Sequence, residues 1–272
     1  MTRGDEKWLN SWVRSPCVMS DFPSRITEEV AHRPWPMPDD HWALTQSWHD
    51  LLFAHWPVAT DALRALVPPG LELDLFERQA WVGIVPFHMT NVAPRGVPPI
   101  PWVSSFPELN VRTYVTAGDK PGVYFFSLDA GSAVAVAVAR TLFNLPYYSA
   151  SMDVVMEDGW VNYTSRRVPG DGTPAIFSAR YRPTGPIRAA LPGSLEYFLT
   201  ERYCLYTSDD PLHPRRLEIH HPPWALQAAE ASFAMNSMAD AAGIRLPPVT
   251  PVLQFAKRQD AIAWRPVTVS GR

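Results

Sequence analysis

The chain has few reactive side chains of the sulfur and amine kinds: two cysteines and three lysines in 272 residues. Cys17 and Cys204 lie far apart and share no CxxC spacing, so neither a disulfide framework nor a structural zinc site is expected. That cysteine usage suits a reducing cytoplasm. Lysine is confined to Lys7, Lys120 and Lys257, which leaves 21 of the 24 basic residues as arginine. Only three side chains could therefore offer an amine. Basic residues never run beyond the pairs Arg166-Arg167, Arg215-Arg216 and Lys257-Arg258, and the net charge is −3. A nucleic-acid partner or a polybasic membrane patch is not expected. No apolar run approaches the roughly 20 residues of a membrane helix, and the opening MTRGDEKWLNSW has no apolar signal segment. The chain also lacks a Gly-rich phosphate loop, a GxSxG elbow and internal repeats, so no nucleotide cofactor or hydrolase triad is expected.

What is present is a hydrophobic content of 46%, enough for a full core in one domain. Residues 1–41 hold five prolines and Trp8, Trp12 and Trp35, and read as an N-terminal extension. It is either disordered or packed on the domain or a neighbouring subunit. The domain proper runs over 42–272. Leu51 to Trp56 predicts a strand, and Thr60 caps a short helix from Asp61 to Val67 that Pro68, Pro69 and Gly70 stop. Ala80 to Met89 is apolar on both faces and predicts a central strand, and the proline-rich segment from Asn91 to Pro107 predicts a loop.

Glu108 to Thr116 alternates, with Glu108, Asn110, Arg112 and Tyr114 on one face and Leu109, Val111, Thr113 and Val115 on the other. The apolar face must meet a core, and the polar face meets either bulk water or the wet interior of a cone. A turn at residues 117–122 joins it to a strand from Val123 to Leu128 and puts Lys120 at an exposed tip. Ser151 to Met156, Trp160 to Arg167 and Ile176 to Arg182 predict an antiparallel meander. Ser194 caps a helix with Leu195, Phe198 and Leu199 on its buried stripe, and Glu201 and Arg202 read as an ion pair at its end. His220 and His221 are adjacent on a strand and point to opposite faces, which argues against a shared metal; no metal site is expected.

Between Gly131 and Ala150 the order is Ala133 to Ala139 alternating Ala and Val, then Arg140, then Pro146, Tyr147 and Tyr148. Val favours a strand, whereas Asp129 or Ser132 can cap a helix that Pro146 must end; periodicity does not choose. This order resembles the acetoacetate decarboxylase superfamily, in which a Gly-Arg-Glu segment on a helix leads to Pro-Lys-Lys and the first lysine forms a Schiff base. The matching positions here are Ala139, Arg140 and Thr141, then Pro146, Tyr147 and Tyr148. The segment from Trp48 to Asp74 resembles the family's opening strand and Asp-Ala-Leu-Arg helix, and FPELNVRTYV from Phe106 resembles the segment carrying its pocket glutamate, at Glu108. Within the superfamily the wording is most similar to the YqjF-like branch of uncharacterised proteins.

The resemblance implies an α+β fold, mainly antiparallel β, curled into a cone or barrel with a few short helices. It implies an interior pocket for a small organic molecule, an oxo or carboxylic acid, with Arg140 and Tyr148 near it and His49 at the place of a family arginine. A Schiff base needs an amine that tyrosine lacks, so imine-based decarboxylation is not expected. Glu108 can act as acid or base if burial raises its pKa, or can pair with Arg112 or Arg140. Tyr147 can donate a hydrogen bond to a carbonyl or be a structural tyrosine. Asn110, Arg112, Arg140, Tyr148 and His49 complete the expected binding set. Three readings stay open: a lyase- or isomerase-type enzyme, a non-catalytic binding or sensing module, and a structural subunit. Superfamily relatives assemble, which implies a homo-oligomer.

Overall fold

The computed structural model describes residues 22–100, 103–208 and 210–269. Strand formation follows the alternating and Val-rich stretches, and the strands pair mostly antiparallel into one sheet that returns on itself. The architecture is α+β with few short helices, as the motifs imply.

Seven strands close a ring. β1 (Leu44–Val58) pairs with β3 (Ala80–Pro94), β3 with β4 (Phe106–Ala117), whose far end also takes the two-residue β2 (Glu72–Leu73), and β4 with β5 (Lys120–Ala130). From β5 the order passes in parallel to β9 (Cys204–Thr207), then to β10 (Arg215–His220). β12 (Val252–Ala263) completes it, pairing with β10 through Ile219↔Ala263 and His220↔Ile262 and with β1 along most of its length. A side branch leaves β5 through β6 (Tyr147–Glu157), β7 (Trp160–Arg167) and β8 (Ile176–Pro183), and rejoins β12 through β11 (Leu226–Asn236).

The shared strands therefore have two interior faces. Leu52, Ala54, Trp56, Val82, Leu109 and Val111 pack against Val161, Tyr163, Phe177 and Tyr181 of the branch in the main core. Residues one step out of phase on β1, β3, β4 and β5 point the other way, into the ring. At about 1.5–3 kcal/mol per fully buried large apolar side chain, the first face fixes strand register, because a one-residue slip would turn it into the second.

One helix covers the ring. It spans Ala133–Phe143, with the Ser132 hydroxyl accepting from the Ala135 amide at 3.3 Å and Asn144 in the left-handed conformation (φ 49°) at its other end. The two caps and Pro146 decide for helix what Ala-Val alternation left open. A second helix, Leu195–Thr200, is capped by Ser194 and buries Leu199.

Several expectations need correcting. Thr60 is the first residue of its helix, Thr60–Arg64, and Ala59 occupies the N-cap without a side-chain bond. Residues 91–94 belong to β3, because Thr45 on β1 still bonds the Asn91 and Ala93 carbonyls there. Lys120 is at a turn but not exposed at its tip: its ammonium folds back to Glu218 at 2.7 Å and over the Trp35 ring. Glu201 and Arg202 do not pair with each other. Arg202 is held by Asp74 at 2.5 Å, while Glu201 accepts from the Tyr203 hydroxyl and the Trp224 amide.

The described part of the N-terminal segment lies on the domain. Phe22 and Ile26, from the helix Phe22–Glu28, pack with Ile262 and Trp264. Arg33 and the Trp35 indole both donate to Glu218, and His32 reaches the His221 carbonyl. Trp8 and Trp12, with Lys7 and Cys17, lie outside the described residues.

Candidate functional site

All seven ring strands contribute to the wall of an interior cavity of about 730 Å³. Its lining is largely apolar and includes the rings of Trp48, Phe87, Phe106, Phe125, Tyr147 and Trp224. Alternation on β4 brings Glu108, Asn110 and Arg112 to that wall, since Leu109 and Val111 are held in the opposite core.

Tyr147 arrives from a different element. β6 starts parallel to β5 in the register Leu128↔Tyr147 and Asp129↔Tyr148. Leu128 lines the cavity, and so does Tyr147. Successive residues of a strand face opposite ways, so Tyr148 turns outward with Asp129. The Tyr147 hydroxyl donates to Glu108 Oε2 at 2.7 Å.

Burial favours the neutral form of both groups. Glu108 is 2% exposed, and burial pushes its carboxyl up to about 8; the hydrogen bonds from Tyr147 and Asn110 pull it down and the charge of Asp129 pushes it up again. Burial, reinforced by Glu108, likewise drives the Tyr147 phenol well above its ordinary range. Bringing an unpaired carboxylate into such surroundings costs several kcal/mol, which favours the protonated form of Glu108. Behind the pair, the Tyr163 hydroxyl donates to the Glu108 carbonyl at 2.8 Å and fixes the backbone.

Three of the expected binding residues are not brought to the cavity. Arg140 projects outward; its Nε donates to the Tyr147 carbonyl at 2.7 Å and its guanidinium pairs with Asp171 at 2.6 Å. That bond ties the helix to the start of β6. Tyr148 lies under Arg167, 3.9 Å from guanidinium carbon to ring centre, and Arg167 grips the buried Asp129 with two hydrogen bonds. His49 faces away because Trp48 faces in, and Asp50, at φ 48°, then bulges β1 so that Leu51 faces in as well. His49 bonds Thr90 at 2.8 Å, and burial followed by the charge of Arg258 lowers it to about 4.

Arg202, His221 and Trp224 also line the wall, and nothing in the local sequence marks them as doing so. His221 stands against the Arg202 and Pro222 carbonyls and stacks on Tyr203, while His220 points away to the Ile26 carbonyl. Among the described residues no group of three or more His, Cys, Asp or Glu is placed to hold a metal ion, and no helix is long and apolar enough to cross a membrane. Neither described lysine lines the cavity: Lys120 bonds Glu218 and Lys257 bonds Asp50 at 2.5 Å. The described cysteine, Cys204, is a free thiol.

Comparison with known proteins gives a consistent picture. The profile of DUF2071, described as an uncharacterised conserved protein, matches residues 45–260. The uncharacterised protein YqjF of Bacillus subtilis (strain 168) is 47% identical over 242 residues, which is 88% of this chain and 98% of that protein. Among solved structures, the enduracididine biosynthesis enzyme MppR complexed with pyruvate superposes with a TM-score of 0.60 at 14% identity, covering 89% of this chain and 94% of that one. Acetoacetate decarboxylase from Legionella pneumophila gives 0.56 at 14% identity, over 90% and 95% of the two chains. An acetoacetate decarboxylase-like enzyme from Sphingomonas wittichii gives 0.56 at 12%, over 87% and 98%. These likenesses establish the acetoacetate decarboxylase-like fold.

Proposed function

The chain belongs to the DUF2071 family of uncharacterised conserved proteins, and from its cavity we propose that it binds a small oxo or carboxylic acid and moves a proton on it, as a lyase or isomerase that forms no imine. The observation that carries this reading is the 2.7 Å hydrogen bond from Tyr147 to a buried Glu108 inside a large cavity.

The chemistry follows from the two groups. A phenol that stays protonated can turn from Glu108 to a ligand carbonyl and polarise it. Glu108, in its ionised form, then takes a proton from the carbon beside that carbonyl, and the enolate oxygen that forms accepts a hydrogen bond from the Tyr147 hydroxyl. Return of the proton to the same or a neighbouring carbon completes an isomerisation. A carboxyl that titrates near 8 is suited to both halves, because acid and base forms coexist near neutral pH. Lys120 and Lys257 are engaged elsewhere, so the described residues supply no amine for a covalent route. The solved neighbour complexed with pyruvate suits a carbonyl ligand in a cavity of this fold. A cytoplasmic setting, in which Cys204 stays reduced, completes the reading.

A thermal-shift screen of oxo and carboxylic acids on the wild type and Glu108→Gln tests it. The enzyme reading expects stabilisation of both proteins by one class of acid, with turnover only in the wild type. Stabilisation without turnover in either would make the protein a binding or sensing module. No stabilisation by any acid would leave a structural subunit.

A further inference from the structure

Arg112 lines this cavity as a cation with no counter-ion among the described residues. Its guanidinium lies 5.1 Å from the Phe53 ring centre and 5.9 Å from that of Tyr114, and one terminal nitrogen donates to the Leu199 carbonyl at 3.3 Å. Its Nε is buried with no hydrogen-bond partner. Among the described residues no carboxylate pairs with it, whereas Arg202 on the same wall is held by Asp74 and the buried Arg167 by Asp129; Arg215 and the exposed Arg265 also line the wall without a carboxylate, but neither carries a buried, unbonded nitrogen like the Arg112 Nε. Gly83, beside it on β3, makes the room: a Cβ there would stand 3.4 Å from Arg112 Cγ and 2.8 Å from His55 Nε2. Glu108 on the same face lies four residues away along the strand, bonded to Tyr147, and does not pair with Arg112. The uncompensated field is felt by His55, which burial first and Arg112 second push well below the ordinary histidine range. An unpaired guanidinium against apolar walls is costly, and a planar carboxylate is the partner its fork fits best.

Arg112 and the Glu108–Tyr147 pair are not adjacent. Four residues of extended strand place their backbones about 13 Å apart at roughly 3.3 Å per residue. Asn110 lies between, and the walls alongside are Val85, Phe87, Phe125 and Leu128. We propose that the ligand is a carboxylate with an elongated apolar body, its anionic end on Arg112 and an oxo group several carbons away at Glu108 and Tyr147. The class is a medium-chain or aryl-bearing oxo acid, not an acid of two to four carbons. This rests on the proposed function above and narrows its substrate.

The test is calorimetric titration of the full chain with 7-oxooctanoate, 7-oxooctanamide and pyruvate. The expected order is 7-oxooctanoate tighter than either of the others by at least about tenfold, with the acid's advantage over the amide lost in Arg112→Gln. The acid and amide comparison on the wild type stands even if that variant does not fold. Pyruvate binding as tightly as 7-oxooctanoate, or the amide as tightly as the acid, would overturn the inference and leave the cavity reading intact. No heat from any of the three would overturn both.

Discussion

A carboxyl group buried beside a phenol rather than a guanidinium keeps its proton to about pH 8, which links the stability of the whole chain to Glu108. Below about 4.5 the group is protonated in both folded and unfolded chains, and its contribution is fully present. As pH rises from there through 8, the unfolded chain ionises first and the contribution is lost, by up to about 5 kcal/mol. Glu108→Gln keeps the shape and removes the titration. The unfolding free energy of wild type minus variant, from urea denaturation, should therefore fall steadily between pH 4.5 and 8; a flat difference would contradict it. Half-buried His49 and His88 and buried His220 and His221, all lowered to about 4, act in the opposite direction, stabilising above 6.5 and losing that as pH falls. They are common to both proteins and cancel. At this scale Glu108, Asn110 and Arg112 were legible because one strand period puts them on one face. The same rule, applied to the Tyr147-Tyr148 and Trp48-His49 pairs, would have sent Tyr148 and His49 outward. Which way Arg140 turns depends on Asp171, 31 residues on, and no local signal gives that.

At the scale of elements, the segment from Val168 to Thr173 straps the start of β6. Asp171 holds both the Arg140 guanidinium and the Ser149 amide, and Gly172 lies flat against Tyr148. Gly170 and Gly172 share a positive φ, 86° and 85°. A Cβ at Gly170 meets open space, but at Gly172 it would stand 2.5 Å from Tyr148 Cε1. Gly170→Ala should cost about 1 kcal/mol for its backbone alone, and Gly172→Ala about 1–3 kcal/mol more, as Tyr148 is forced off Arg167. Chemical denaturation of the two variants measures the gap, and equal losses would mean that the strap does not brace the ring. The meander and the capped helix at Ser194 could be read from turn residues and periodicity. The helix over the ring could not, because Ala-Val alternation serves either structure and the choice falls to the caps at Ser132 and Asn144 together with Pro146.

For the whole molecule, closure of the ring is the feature that local patterns do not specify. It depends on two residue pairs between β10 and β12, far apart in sequence, and the resemblance of ordered motifs supplied what alternation could not. The N-terminal segment braces that closure from outside, through Phe22 and Ile26 on Ile262 and through Arg33 and Trp35 on Glu218. A chain beginning at residue 42 should lose about 3 kcal/mol or more of stability, the worth of two large buried side chains. Glu218 would stay paired through Lys120 and Arg216, so the loss should be nearly independent of salt. An unchanged urea midpoint would remove the brace from the account.

Whether the cavity performs proton transfer is tested most directly by hydrogen exchange in heavy water, following the protons beside the carbonyl of a bound oxo acid by NMR. The wild type should replace them with deuterium, at a rate that climbs with pH and levels off above about 8, and Glu108→Gln should not. Equal exchange in both proteins, or none in the wild type with the acid bound, would contradict the role given to Glu108 and Tyr147.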